Sequence, residues 1–478
     1  MKILPEATED SPMRIGGQWV RRRDRIEVRN PFDGALVGRV PSADAADVRA
    51  AIDAAESAQA RDFPLHARYE VLQRAAALVE SRREEYAWTI AREGSKTIRE
   101  ARREPVRVAT LLRLAAEEGR RLGGETLPFD SRSGSENREG YYFRFPVGLV
   151  GAITPFNDPL AMAAHKAAPA LAAGNSVVLK PGSATPFSAL GLAHDLMEAG
   201  LPAGRLNVVT GRGEAVGEAL VTDPRIRLVS FTGGVETGEK ITRIAGIKKL
   251  AMELGSNSPV IVLADADLEK AVPAISAGAF AQAGQNCLGV QRVLVHESVY
   301  DDFLGRFTAH AALLKAGSSV DEETDVCAMI SEGQAARIEK WVREAVDGGA
   351  RVLTGGRREG ALVWPTVLAE VPEGARLDCD EAYGPVVSLY RVRDLEEAIT
   401  VANRARYGLH AAIFTESLRD AYRAIRGLHY GAVIVNDSTD YRLDVMPFGG
   451  TKLSGLGREG VRFALLESTE TRVVCFNL

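Results

Sequence analysis

The sequence predicts an α/β fold, and three observations lead there. Short apolar runs alternate with helical segments across residues 147–252. The same alternation returns from about 258 to 443. The connecting segments are long enough to cross over between parallel strands.

The elements follow in order. The first ~45 residues hold Gly-Gly, Asn-Pro and Asp-Gly turn signals between short strand-like runs. From Ser42, taken as a helix N-cap, to about Gly124 the pattern is helical. Residues 125–146 place a polar, Gly/Ser-bearing turn between strand-like flanks and read as a hairpin standing off the body. Its end, Tyr141-Tyr142-Phe143, needs an apolar partner, and a second subunit would supply one. GLVGAI, SVVLK, LNVV, RLVSF and KKLAMEL then read as strands. Helices are expected near 186–199, 214–221 and 235–245. The second α/β region opens with VIVLADAD and closes with GAVIVN, and TRVVCFNL is a last strand.

Composition limits the function. The 478 residues suffice for two to four domains, at roughly 100–200 residues each. A net charge of −5 argues against a general nucleic-acid or anionic-membrane surface. The four cysteines show no C-x-x-C spacing, so neither a zinc ribbon nor a disulfide framework is expected, and no metal. The first 20 residues lack the apolar core of a signal peptide, and no stretch reaches 18 apolar residues. A cytoplasmic protein is expected.

Five fragments carry chemistry. GQNCLG sets Cys287 between Gly284 and Gly289, where a thiolate could act as nucleophile or the thiol could be structural. MELGSNSP places Glu253 34 residues earlier, as a candidate general base. TPFNDP puts Asn157 beyond the end of GLVGAI, where its amide could donate to an oxyanion. KPGSATP puts Lys180 at the end of SVVLK, suited to a nucleotide hydroxyl or phosphate. FTGGVETG opens a helix at Gly233 and Gly234, where backbone N–H groups could face a pyrophosphate. The run TGRGEAVG lacks a dinucleotide fingerprint spacing and reads as strand-to-helix packing.

Taken together, the sequence resembles the aldehyde dehydrogenase superfamily over nearly its whole length. PFN at 155–157, HK-x-x-PALAAGN at 165–175, LKP at 179–181, GLP at 200–202 and FTGG at 231–234 occur in the family's order. ELG at 253–255, GQNC at 284–287, E-x-Y-GPV at 381–387, N-x-x-x-YGL at 403–409 and PFGG-x-K-x-SG-x-GRE at 447–459 follow. The resemblance implies a Rossmann-like cofactor domain, an α/β catalytic domain and a small β oligomerisation element. It assigns 1–124 and 147–252 to the first, 253–443 to the second, and 125–146 with 444–478 to the oligomerisation hairpin and the returning strand.

It also implies a reaction: oxidation of an aldehyde to the acid with NAD or NADP. Cys287 matches the nucleophile, which passes through a thiohemiacetal and a thioester. Asn157 and the Cys287 N–H match the oxyanion hole, and Glu253 the hydrolytic base. Lys180 and Glu381 match holders of the cofactor riboses. Thr154, Pro155, Phe156, Ser183, Phe231, Thr232, Gly233, Gly234, Leu254, Gly255 and Tyr383 complete the implied cofactor set. Lys166 matches a lysine near the oxyanion site. Ser183 stands where many NAD-preferring members carry Glu, so repulsion of a 2′-phosphate is removed and NADP is tolerated. Gly234, Ser256 and Tyr383 depart from the commoner Ser, Gly and Phe, and none removes a catalytic group.

Motif alignment puts Arg107, His165, Asn286 and Arg442 at substrate positions. Two arginines and a histidine suit a small anionic aldehyde bearing a phosphonate, sulfonate or carboxylate. Alternatives are a neutral or lactaldehyde-like hydroxyaldehyde, or a CoA-acylating reaction, against which Glu253 argues. The resemblance implies a homodimer or homotetramer.

Overall fold

A computed structural model describes residues 10–478. Residues 1–9 of the N-terminal stretch read above lie outside the described residues.

Two sheets carry the molecule. The first has eight strands, and its parallel centre runs in the spatial order Leu206–Val208, Ser176–Lys180, Leu149–Ile153, Ile226–Thr232, Lys249–Glu253. Strands 149–153 and 176–180 are buried at every position, as expected when helices cover both faces. The strand order reverses between Leu149–Ile153 and Ile226–Thr232, so the crevice beyond their carboxyl ends is the ligand-binding position. Gly455–Leu456, from the far end of the chain, pairs antiparallel with Met252 and Glu253 and forms one edge.

The second sheet has seven strands, in the order Arg351–Thr354, Thr366–Ala369, Val386–Val392, Val290–His296, Ser258–Val262, His410–Phe414, Ala432–Val435. All its pairings are parallel except the first. Each sheet has its own apolar core.

Helix Pro159–Ala172 connects the first two central strands of the cofactor-side sheet. Every one of its 14 residues is buried, His165 and Lys166 included. Seven alanines let four neighbouring helices approach it, and Pro159 supplies the preset φ of a first helical turn.

One expectation needs correction. The first helix spans Ala45–Gln59 and is capped by Asp44, not Ser42, because Asp44 accepts from the N–H groups of Ala46 and Asp47. The ends of 125–146 pair antiparallel, Glu125–Thr126 against Tyr141–Tyr142, with Leu127 N donating to the Gly140 carbonyl. The strand Arg138–Pro146 also pairs along all nine residues with Thr469–Asn477, which brings the Phe476 ring 6.3 Å from that of Tyr141.

Candidate active site

A cavity of 1620 Å³ opens between the two sheets, and Cys287, Asn157 and Glu253 all lie on its wall. Each reaches it from an element end. Asn157 lies beyond strand Leu149–Ile153, just before the helix at Pro159. Glu253 is the last residue of strand Lys249–Glu253. Cys287 follows helix Leu268–Phe280 through a turn whose backbone leaves the right-handed region. There Gln282, Ala283 and Gly284 have φ of 55°, 54° and 68°.

The charges around these groups are buried. Burial pushes the Cys287 thiol well above its ordinary range, with Arg442 opposing, so the sulfur rests protonated. Burial, then the nearby Glu459 carboxylate, raises Glu253 well above the usual carboxylate range. Among the described residues its Oε2 has no hydrogen-bond partner. Glu459 behaves oppositely. Burial would raise it, but Lys166 and Arg442 more than offset this and bring it down to about 2. Lys166 Nζ donates to Glu459 Oε1 at 3.0 Å and to Ser230 Oγ at 3.1 Å. Lys166 thus holds Glu459 rather than facing the main cavity, whose wall it does not join.

The nucleotide-side wall holds Pro155, Phe156, Lys180, Phe231, Thr232, Gly233, Gly234, Leu254, Gly255, Glu381 and Tyr383. Burial lowers Lys180 to about 8, and its Nζ donates only to the Pro181 carbonyl. Burial raises Glu381 to about 7, and its Oε1 accepts from Ser256 N at 2.8 Å. A Cβ at Gly255 would lie 2.3 Å from Glu381 Oε2 and push that carboxylate from its place. Gly234 caps helix Val235–Ile244, and nothing lies within 4 Å of where its Cβ would be. Thr232 Oγ1 is buried without a partner. A bare helix N-terminus, an amine and an acid in need of partners, and an unmet hydroxyl fit a nicotinamide dinucleotide.

Thr154 and Ser183 stand behind this wall. Thr154 N donates to the Lys180 carbonyl, and Ser183 Oγ donates to the Gly211 carbonyl at 2.7 Å. The TGRGEAVG run is corrected in part. Gly211 is a packing glycine, 2.4 Å from Val216 Cγ2 were a Cβ present, but Gly213, Glu214 and Gly217 line the cavity.

The model of the aldehyde dehydrogenase family matches residues 19–474. This chain belongs to the aldehyde dehydrogenase family. It is 44% identical to the 3-sulfolactaldehyde dehydrogenase of Priestia aryabhattai, over 97% of each chain. It is 41% identical to a lactaldehyde dehydrogenase of Methanocaldococcus jannaschii, over 97% of this chain and 99% of that one. The NADP-dependent glyceraldehyde-3-phosphate dehydrogenase of Bacillus halodurans C-125, solved with NADP, superposes with a TM-score of 0.95 at 38% identity, covering 98% of this chain and 100% of that one. The chain is an NAD- or NADP-dependent aldehyde oxidoreductase.

Of the residues expected at substrate positions, Arg107, Asn286 and Arg442 line the cavity. Both arginines are engaged. Arg107 Nε and Nη2 fork onto Asp444, at 3.1 and 2.7 Å. Arg442 Nη2 lies 3.4 Å from Glu459 Oε2, and its guanidinium covers the Phe448 ring at 3.6 Å. His165 departs from expectation: it is 1% exposed and absent from the cavity wall. Its Nε2 faces Arg107 Nη2 at 3.0 Å and Asp444 Oδ1 at 3.1 Å, so it buttresses that pair. Burial, with Arg442 adding, lowers it to about 4 and keeps it neutral.

Arg103, which the sequence reading passed over, lines the same cavity one helical turn before Arg107. Among the described residues, it is the one cavity-lining arginine with neither hydrogen bond nor ion pair. The signal was present: 103 and 107 share a helix face at i, i+4. Asp444 and Glu459 were also missed, because their partners come from distant segments.

Proposed function

We propose that this enzyme oxidises a small anionic aldehyde, bearing a sulfonate, phosphonate or carboxylate, through covalent attachment to Cys287. The observation that carries the reading is convergence: Cys287, Asn157, Glu253 and arginines 103, 107 and 442 share one cavity wall. Cys287 Sγ, once its proton has left, attacks the carbonyl carbon. The Asn157 side-chain amide and the Cys287 N–H receive the oxyanion. Lys180 and Glu381 hold the cofactor's riboses, and Gly233 and Gly234 bring bare backbone to its pyrophosphate. The nicotinamide, when bound, supplies the hydride acceptor. Loss of hydride restores the C=O bond and leaves a thioester on Cys287. Glu253 takes a proton from water as that water adds to the thioester. Cys287 leaves as thiolate, and the acid departs.

Arg103 lines the cavity as an exposed side chain with no anion of the described residues paired to it, so a substrate anion can pair with it there. The names of the relatives support the class, since 3-sulfolactaldehyde and glyceraldehyde 3-phosphate are both anionic. A second reading, a neutral hydroxyaldehyde, is favoured by the pairing of Arg107 with Asp444 and Arg442 with Glu459. It matches the name of the lactaldehyde relative. The two are separated by initial rates of cofactor reduction on sulfolactaldehyde, phosphonoacetaldehyde, succinic semialdehyde and lactaldehyde. The anionic reading expects Arg103→Ala to raise KM for the anions at least ten-fold and to leave lactaldehyde within two-fold. Equal effects on both classes overturn it. Cys287→Ala is expected to be inactive on all of them.

A further inference from the structure

The chain that delivers Cys287 to the cavity is held in an unfavourable conformation. Gln282 (φ 55°, ψ 33°) and Ala283 (φ 54°, ψ 37°) are consecutive left-handed residues with side chains, and Gly284 continues the run. Left-handed backbone is disfavoured for residues with a Cβ, and two in succession persist only where neighbours fix them. Gly284 cannot relax toward the core, since its Cα lies against the backbone of Gly384; a Cβ would be 2.1 Å from that carbonyl oxygen.

What fixes the run is a carboxylate from another part of the molecule. Glu100 Oε1 accepts from Gln282 N at 2.8 Å. Its other oxygen, Oε2, accepts from Thr97 N at 2.8 Å and Thr97 Oγ1 at 3.1 Å, so the side chain is clamped at both ends. Gln282 Nε2 reaches Asp158 Oδ1 at 3.3 Å, beside Asn157. Lys96 holds Asp158 and Glu104. One buried polar cluster therefore fixes the nucleophile's loop and the segment carrying Asn157 against each other. No step of the reaction above uses Glu100.

We propose that Glu100 is a positioning residue for the nucleophile: its bond to the Gln282 N–H holds the left-handed turn that presents Cys287 to Asn157. This rests on Cys287 being the nucleophile, but its decisive readout is independent of turnover. Without the bond the turn relaxes, and the sulfur moves off the position in which aldehyde is attacked.

The test compares Glu100→Ala, Glu100→Gln and Glu100→Ala combined with Ala283→Gly, all as full-length protein. Cys287 alkylation by iodoacetamide is followed by peptide mass spectrometry, with exposed Cys379 and Cys475 as references in the same tube. The kcat and the KM for cofactor are measured alongside. Glu100→Ala is expected to change the relative alkylation rate of Cys287 and to lower kcat, each at least five-fold, with cofactor KM within two-fold. Glu100→Gln keeps an acceptor oxygen and should lie nearer the wild type. Ala283→Gly removes only a methyl group and relieves the left-handed penalty, so the double variant should regain most of both losses. Unchanged alkylation and kcat in Glu100→Ala overturn the proposal, as does a folded double variant that regains nothing. Should Glu100→Ala not fold, Glu100→Leu, which lacks the acceptor but keeps the bulk, is compared with and without Ala283→Gly, and equal values for the two overturn it. Loss of positioning in a protein whose Cys287→Ala variant stays active would instead refute the covalent mechanism alone.

Discussion

Glu253 enters the cavity with one carboxylate oxygen unpartnered and its acidity weakened by burial. The protonated form cannot accept from water. The base form grows as pH rises through the raised pKa, so thioester hydrolysis should accelerate with rising pH. Glu253→Gln should abolish that rise and accumulate acyl-enzyme, seen as a pre-steady-state burst followed by a slow phase. A pH–kcat profile unchanged in the variant would remove Glu253 from the base role. Ser183 gives a second residue-scale prediction. Its hydroxyl is turned onto the Gly211 carbonyl, so the position carries no negative charge. Ser183→Glu should raise KM for NADP at least ten-fold while leaving KM for NAD within about three-fold. Steady-state kinetics with both cofactors read the ratio directly, and an unchanged ratio would place the 2′-phosphate elsewhere.

At the scale of elements, strand ends and turns do the positioning. The proposed catalytic groups sit where regular structure stops: Asn157 past a strand, Glu253 at the end of one, Cys287 past a helix. Gly284→Ala forces a Cβ into both a left-handed backbone and the Gly384 carbonyl. The backbone penalty alone is about 1–3 kcal/mol. The variant should lose activity at least ten-fold and melt at lower temperature by calorimetry; wild-type values for both would mean that the turn adapts freely. Much at this scale was legible in sequence. The alternation of apolar runs gave the parallel strands, because burial on both faces demands continuous hydrophobicity. The start of the first helix was not, since Ser42 and Asp44 both suit a cap and only the chain's exit angle chooses between them. The pairing of Arg107 with Asp444, 337 residues apart, was beyond any local signal. Spacing located the arginine on its helix but could not see what neutralises it. His165 failed for the same reason: the motif fixed its helix, and packing turned it behind the wall.

For the whole molecule, the last 30 residues tie the first sheet to the projecting one. Gly455–Leu456 borders the strand of Glu253, Glu459 adds to the burial that raises Glu253, and Thr469–Asn477 pairs with Arg138–Pro146. Strands Arg138–Pro146 and Thr469–Asn477 leave Tyr141, Val473 and Phe476 exposed. Ending the chain after Ser468 removes nine residue pairs and bares the edge of Arg138–Pro146. The truncated protein should change its elution in size-exclusion chromatography, by dissociation or by aggregation. An unaltered profile would mean that assembly does not depend on this sheet. The far return of the chain has a further consequence during biosynthesis. A ribosome adds roughly 5–20 residues per second, so Cys287 and Asn157 emerge many seconds before Glu459. Until the tail has cleared the exit tunnel, Glu253 lacks both its neighbouring strand and the carboxylate beside it. A prematurely terminated chain therefore carries the nucleophile but not the finished site, and only completed translation yields a working enzyme.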